Sequence, residues 1–234
     1  MTKKKLAAVT GGNRGVGLQI CRDLAKEGFE VILTARAVEK GQDAAEKLKD
    51  EGLNVTFHQL DIIDSDSIDN FYDTLLNDYG RLDVLINNAA ILPEPRSDGL
   101  SAELREIKDT IETNVYGAIV LCRKIIPLMT KNNYGRIINL SSGMGQLSDM
   151  GGGYIAYRVS KTALNAVTRI FAAETSAYDI QINCVDPGWV KTDMGGPGAS
   201  STPEEGADTP VWLSSRPEGE PSGKFYKKRK IIDW

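Results

Sequence analysis

Tyr157 and Lys161, four positions apart, are the first residues in this sequence whose types and spacing could do chemistry. In a helix that spacing puts both side chains on one face, so a phenol and an ammonium approach one point together. A phenol titrates near pH 10 in water (about 10) and is a poor acid-base catalyst at neutral pH unless a cation stabilises its phenolate. Lys161 could supply that field, and so could an oxidised nicotinamide ring. The spacing alone does not single the pair out, because Tyr226 and Lys230 repeat it in a basic stretch further on. Tyr154 and Arg158 form a near-match, but a permanently charged guanidinium cannot join a proton relay.

A second candidate is the run Thr10-Gly11-Gly12-Asn13-Arg14-Gly15-Val16-Gly17, between a short apolar segment and an amphipathic one. Glycines allow a tight turn and close approach of backbone to a pyrophosphate, and the free N–H groups of a helix N-terminus favour an anion. The general dinucleotide fingerprint would need another glycine where Ile20 stands, so the run also reads as a plain strand-to-helix turn. About twenty residues beyond Gly17, where an NAD site usually offers an acid to the ribose, the chain offers Arg36. A guanidinium there suits the 2′-phosphate of NADP, and Arg14 could reach the same group, unless both are simply surface arginines.

The elements that must position these residues follow from the hydrophobic pattern. Short β-branched runs alternate with amphipathic stretches, which is the pattern of βαβ units around a parallel sheet. Strands are predicted over 6–9, 30–34, 54–58, 84–87, 136–140, 181–185 and 224–226. Helices are predicted over 15–27, 38–51, 66–79, 102–130 and 156–177, with a kink at Pro127. The expected architecture is a single α/β domain over residues 1–234, a Rossmann fold with a doubly wound, seven-stranded parallel sheet. Gly, Pro, Ser and Thr accumulate late in the chain, and a mobile substrate loop is expected near 193–221.

Composition excludes several function classes. With 234 residues, 41% hydrophobic and 26% charged, the chain can bury a core, and its net charge of −4 does not suit nucleic-acid binding. The basic runs Lys3-Lys4-Lys5 and Lys227-Lys228-Arg229-Lys230 read as a solvated lead-in to a strand and a solvated tail. The apolar run after Lys5 is too short for a signal core or a membrane span, so a cytoplasmic protein with no membrane partner is expected. Cys21, Cys122 and Cys184 lack paired spacing and read as small buried residues. His58 is the only histidine, reads as a strand residue, and leaves no basis for a metal site.

Several strings occur in the order and approximate intervals of the short-chain dehydrogenase/reductase family: Thr10 through Gly17, Asn87-Asn88-Ala89, Asn114, Asn139-Leu140-Ser141-Ser142, Tyr157 to Lys161, and Pro187-Gly188. Leu33-Thr34-Ala35-Arg36, Phe57 through Ile62 and Pro187 through Met194 resemble the cytosolic NADPH-dependent carbonyl reductases most. The resemblance implies that NADPH is the cofactor and a small-molecule carbonyl compound the substrate. It implies that Tyr157 protonates the carbonyl oxygen while Lys161 holds the nicotinamide ribose and lowers the tyrosine pKa. Ser142, not its neighbour Ser141, would hydrogen-bond the substrate oxygen, and Asn114 would anchor a water leading from Lys161 to solvent. Cofactor contacts would come from Gly11, Asn13, Arg14, Gly15, Val16, Gly17 and Arg36. Asp61 and Ile62 would meet adenine, Asn88 the adenosine ribose, and Pro187, Gly188, Val190 and Thr192 the nicotinamide amide.

Two departures from that pattern stand out. Ala90 replaces a common glycine, and the stretch from Gly143 to Ala156 lacks the long helical insertion of the animal monomeric carbonyl reductases. Without that insertion, apolar helix faces should be exposed, and a homodimer or homotetramer is expected. Other family activities, a biosynthetic alcohol dehydrogenase or a 3-oxoacyl reductase, fit the same residues. A non-catalytic NADP-binding redox sensor would usually lack the tyrosine or lysine that this chain keeps.

Overall fold

Most residues of the central strands are apolar on both faces, and helices cover both sides of the sheet. The computed structural model describes residues 4–93 and 97–234, so Lys3 of the first basic run lies outside the described residues. The strands are β1 (Leu6–Val9), β2 (Glu30–Ala35), β3 (Val55–Gln59), β4 (Val84–Asn87), β5 (Gly135–Leu140), β6 (Ile180–Val185), β7 (Phe225–Lys227) and β8 (Lys230–Ile232). The helices are α1 (Gly15–Lys26), α2 (Val38–Asp50), α3 (Ser65–Thr74), α4 (Leu104–Ile111), α5 (Gly117–Lys131), α6 (Ile155–Glu174) and α7 (Pro203–Ser214).

The sheet order is β3-β2-β1-β4-β5-β6-β7-β8. Ala7 and Val9 pack with Ile20, Leu24, Leu48 and Val211 on the face covered by α1, α2 and α7. Leu6 and Ala8 point the other way, toward Phe71, Leu121 and Ile125 beneath α3 and α5, with Ala172 of α6 in the same cluster. Burying each such Leu, Ile or Phe contributes about 1.5–3 kcal/mol. Chain direction across the sheet reverses between β1 and β4, and that switch point opens a crevice beyond the strands' carboxyl ends.

The structure corrects three sequence expectations. The sheet has an eighth strand, antiparallel to β7, made from the run expected to be a solvated tail. The reversal is a two-residue turn in which Lys228 and Arg229 both adopt positive φ, 48° and 61°. That turn is pinned by Thr209 Oγ1, which accepts from the Arg229 N–H at 3.0 Å, and by the Asp208 carboxylate on the Arg229 guanidinium. The long helix expected over 102–130 is divided by a wide π-type turn at Glu112–Tyr116. It then runs through Pro127 to Lys131, because the carbonyl that proline leaves unbonded lies on the exposed side. Finally, the stretch expected as a loop contains α7. Its first turn is closed by a capping box in which Thr202 Oγ1 accepts from Glu205 N and Glu205 Oε2 accepts from Thr202 N.

Candidate active site

At the switch point, the loops after β1 and β4 are tied together. Thr10 Oγ1 accepts from the backbone N–H groups of Asn88 and Ala89, both at 2.9 Å, and Asn88 Nδ2 donates to the Thr10 and Gly11 carbonyls at 2.8 and 3.1 Å. This closeness explains Gly17, where a Cβ would lie 2.5 Å from both Asn88 Nδ2 and the Gly11 carbonyl oxygen. Gly11 and Gly15 take positive φ in the same turn, with Asn13 half-buried between them. The α1 N-terminus carries no side-chain cap and no acid in its first turn, so the N–H groups of Gly15, Val16 and Gly17 face the crevice without a side-chain partner.

At the outer end of the crevice, Arg36 is exposed beyond β2, and its carbonyl accepts from Gln59 Nε2 at 3.3 Å. Asp61 N donates to Ser67 Oγ at 2.9 Å while Asp61 Oδ1 accepts from Ile63 N. Ile62 is buried against Gly117, whose missing side chain leaves it room. Arg14 is engaged by an acid of the loop after β6. Its Nη1 pairs with Asp193 Oδ2 at 2.9 Å, with both side chains more than two-thirds exposed (70% and 78%).

The proton-transfer candidates meet where β5, the wide turn and α6 converge. Tyr157 is only 9% exposed, and Lys161 Nζ lies 5.5 Å from its ring centroid while donating to the Leu140 carbonyl at 2.7 Å. Ser142 lies beside the Tyr157 hydroxyl and caps a short turn by accepting from Met144 N at 3.1 Å. Ser141 points elsewhere, donating to Asn165 Oδ1 beneath α6 at 2.5 Å. Burial pushes the Tyr157 phenol up to about 12, partly offset by Ser142 and reinforced by the Asp186 carboxylate. Burial also pushes the Lys161 ammonium down to about 8. In this arrangement the Lys161 ammonium is directed at the Leu140 carbonyl.

Asn114 projects from the wide turn and is fully engaged by protein. Its Oδ1 accepts from Ile91 N at 2.8 Å, and its Nδ2 donates to the Ile91 carbonyl at 2.9 Å and Ser160 Oγ at 3.0 Å. Ser160 Oγ in turn donates to the Tyr157 carbonyl at 2.8 Å. Asn114 thus braces the loop after β4 against α6 and makes no direct bond to Lys161.

A loop after β6 closes the crevice. Pro187 and Gly188 form its first turn, with Gly188 at φ 83°, and Val190 is buried and bridged to Ser201. Thr192 Oγ1 donates to the Val190 carbonyl and accepts from Gly195 N, while its methyl group would meet a Cβ on Gly15 at 3.0 Å. This contact brings the loop onto the phosphate-binding turn. Sequence reading placed Thr10 in the glycine run but not as the tie between the two loops, and it singled out neither Ser160 nor Asp186. The only signal for Asp186 was an acid directly before Pro187-Gly188. Arg158, set aside from the sequence only as a proton-relay partner, steadies the rim by donating to the Gly153 and Met144 carbonyls at 3.0 and 3.3 Å.

Among the described residues no cluster of His, Cys, Asp and Glu could hold a metal ion, and no helix is long and apolar enough to cross a membrane. His58 packs edge-on against Phe71 and bonds Thr74 Oγ1 at 3.0 Å. All three cysteines are buried and free.

The profile described as short chain dehydrogenase matches residues 5–201. Carbonyl reductase (NADPH) 1 of Sus scrofa is 38% identical over 280 aligned residues, covering 98% of this chain and 94% of that protein. The alignment is longer than this chain, so the pig protein carries residues that this chain lacks. Among solved structures, the carbonyl reductase Sniffer of D. melanogaster superposes with a TM-score of 0.91 at 28% identity, covering 99% of this chain and all (100%) of that one. NADPH-bound carbonyl reductase from chicken fatty liver superposes with a TM-score of 0.89 at 27% identity, with coverage of 99% and 100%.

Proposed function

This chain belongs to the short chain dehydrogenase family, and from that premise we propose that it is an NADPH-dependent carbonyl reductase in which Tyr157 delivers the proton. NADPH supplies the hydride. The residues present fit it. The uncapped α1 N-terminus offers backbone donors to a pyrophosphate, Arg36 offers a guanidinium to the 2′-phosphate, and the turn from Pro187 to Thr192 stands ready for the nicotinamide end.

The observation that carries this reading is the convergence of Tyr157, Ser142 and Lys161 on the wall of the same crevice. A carbonyl oxygen seated between the Ser142 and Tyr157 hydroxyls receives two hydrogen bonds that strengthen as negative charge develops on it. Burial keeps Tyr157 protonated at neutral pH, so the group is charged with its proton before reduction begins. Lys161, held by the Leu140 carbonyl, places an ammonium one helical turn away, where it can bind the nicotinamide ribose and favour the phenolate left behind. Asn114 and Ser160 keep α6 in register with the loop after β4, so the hydroxyls stay aimed at one point.

Substrates in this reading are small ketones, aldehydes and quinones. Loss of NADPH absorbance with a panel of these compounds tests it. Tyr157→Phe should lower kcat/KM by about 10²–10⁴-fold while NADPH still binds, because only the proton donor is removed. Turnover near wild type in that variant would show that another group protonates the product.

A further inference from the structure

A buried carboxylate at the end of β6 has no part in the mechanism above. Asp186 is 6% exposed, and an ionised group at that depth needs partners. It has them on two sides: Oδ1 accepts from Gly188 N at 3.0 Å and Oδ2 pairs with Lys227 Nζ at 2.8 Å. A Cβ added at Gly143 would lie 3.0 Å from the same Oδ2, so the carboxylate also abuts the turn that follows Ser142. One side chain thereby touches the rim beside Ser142, the turn leading to Val190 and Thr192, and the β7–β8 hairpin.

We propose that Asp186, held by Lys227, is a positioning residue for carbonyl reduction. It fixes the Gly188 turn from one oxygen and presents a balanced charge to Tyr157 from the other. The proposal rests on the reading of Tyr157 as proton donor and of residues 187–192 as the nicotinamide turn.

The electrostatic part follows from the groups that face Tyr157. Lys161 approaches from its own helix, Ser142 from the rim and Asp186 from β6. Cys184 lies beside Lys161 and donates to Thr168 Oγ1, and the Arg158 guanidinium is directed away, onto the Gly153 and Met144 carbonyls. Asp186 is thus an anion acting on the phenol, and it opposes the phenolate. Lys227 moderates that opposition from the half-exposed side of the pair.

The two partners therefore make opposite predictions. Alcohol oxidation with NADP⁺ requires the phenolate, so the rising limb of its kcat–pH profile reports the tyrosine. In Asp186→Asn the limb should move to lower pH by about half a unit or more, since the opposing charge is gone. In Lys227→Gln it should move to higher pH, since Asp186 is no longer moderated. Asp186→Ala should also weaken NADPH binding, measured by fluorescence titration, by about five- to tenfold relative to Asp186→Asn, which keeps an acceptor for Gly188 N. Limbs that coincide with wild type in both charge variants, or that move in the same direction, would overturn the proposal. So would equal NADPH affinity in the Ala and Asn variants. Lys227 is half exposed, so its variant stands even if an Asp186 variant folds poorly. Failure of the underlying reading is separate, because it appears as retained turnover in Tyr157→Phe.

Discussion

At the scale of single residues, the site sets protonation states mainly by burial. The Lys161 ammonium, pushed down to about 8 from an ordinary 10.5, is penalised in the fold wherever it is charged. The folded chain then binds fewer protons than the unfolded one between those values, so this residue's contribution to stability rises with pH through that window. Without cofactor, Lys161→Met should be more stable than wild type at pH about 7, and the gap should narrow by pH about 10, as measured by urea unfolding. With Arg14 engaged by Asp193, we propose that Arg36 carries the cofactor preference. Arg36→Asp should lower the NADPH-over-NADH ratio of kcat/KM by about tenfold or more, the loss of one charge-assisted hydrogen bond plus an added repulsion. An unchanged ratio would assign the 2′-phosphate to another group. Tyr157, Lys161 and the glycine turn could be singled out because local spacing suggested them and the order of the surrounding strings, as in the family they resemble, chose among the matches. The Arg14–Asp193 and Asp186–Lys227 pairs could not, since each joins residues distant in sequence, the first 179 positions apart.

At the scale of elements, legibility followed length and burial. β1, β4, β5 and β6 were readable because strands covered on both faces are largely apolar, with few polar residues interrupting the run. β8 is only three residues long, too short to show a period, and its basic surroundings resemble a solvated tail. α7 was hidden by Pro203, Gly206 and Pro210, although Thr202 and Glu205 carried a capping-box signature at its start. The wide turn at Glu112–Tyr116 has no sequence signature of its own; the pairing of Asn114 with Ile91 reveals its purpose. The β7–β8 turn uses two residues poorly suited to positive φ, in a geometry that favours Asn or Gly. Lys228→Asn should therefore stabilise the protein by about 0.5 kcal/mol, seen as a small rise in Tm. A fall in Tm would mean that the exposed lysine makes a contribution its surroundings do not reveal.

At the scale of the whole molecule, α6 presents an outward apolar stripe. Val159, Ala166, Ile170 and Ala173 are exposed along it, and Ala163 and Val167 are half-buried, at the three- and four-residue spacing of a helix seam. We propose that a second copy covers this stripe, giving a dimer or tetramer. Light scattering at micromolar concentration should return a multiple of the chain mass, and Ile170→Glu should return a monomer. The three tryptophans differ in a way that bears on how the enzyme could be watched. Trp212 is fixed edge-on to Tyr226, and Trp234 is stacked on Phe225. Trp189 is 56% exposed and is held to the crevice loop by a single bond from its Nε1 to the Gly195 carbonyl at 2.8 Å. Two of the indoles thus give a constant background of emitted light, while the third gives a signal that varies with the loop. In Trp189→Phe that background remains alone, and subtracting it isolates the optical record of one loop in an otherwise unlabelled protein.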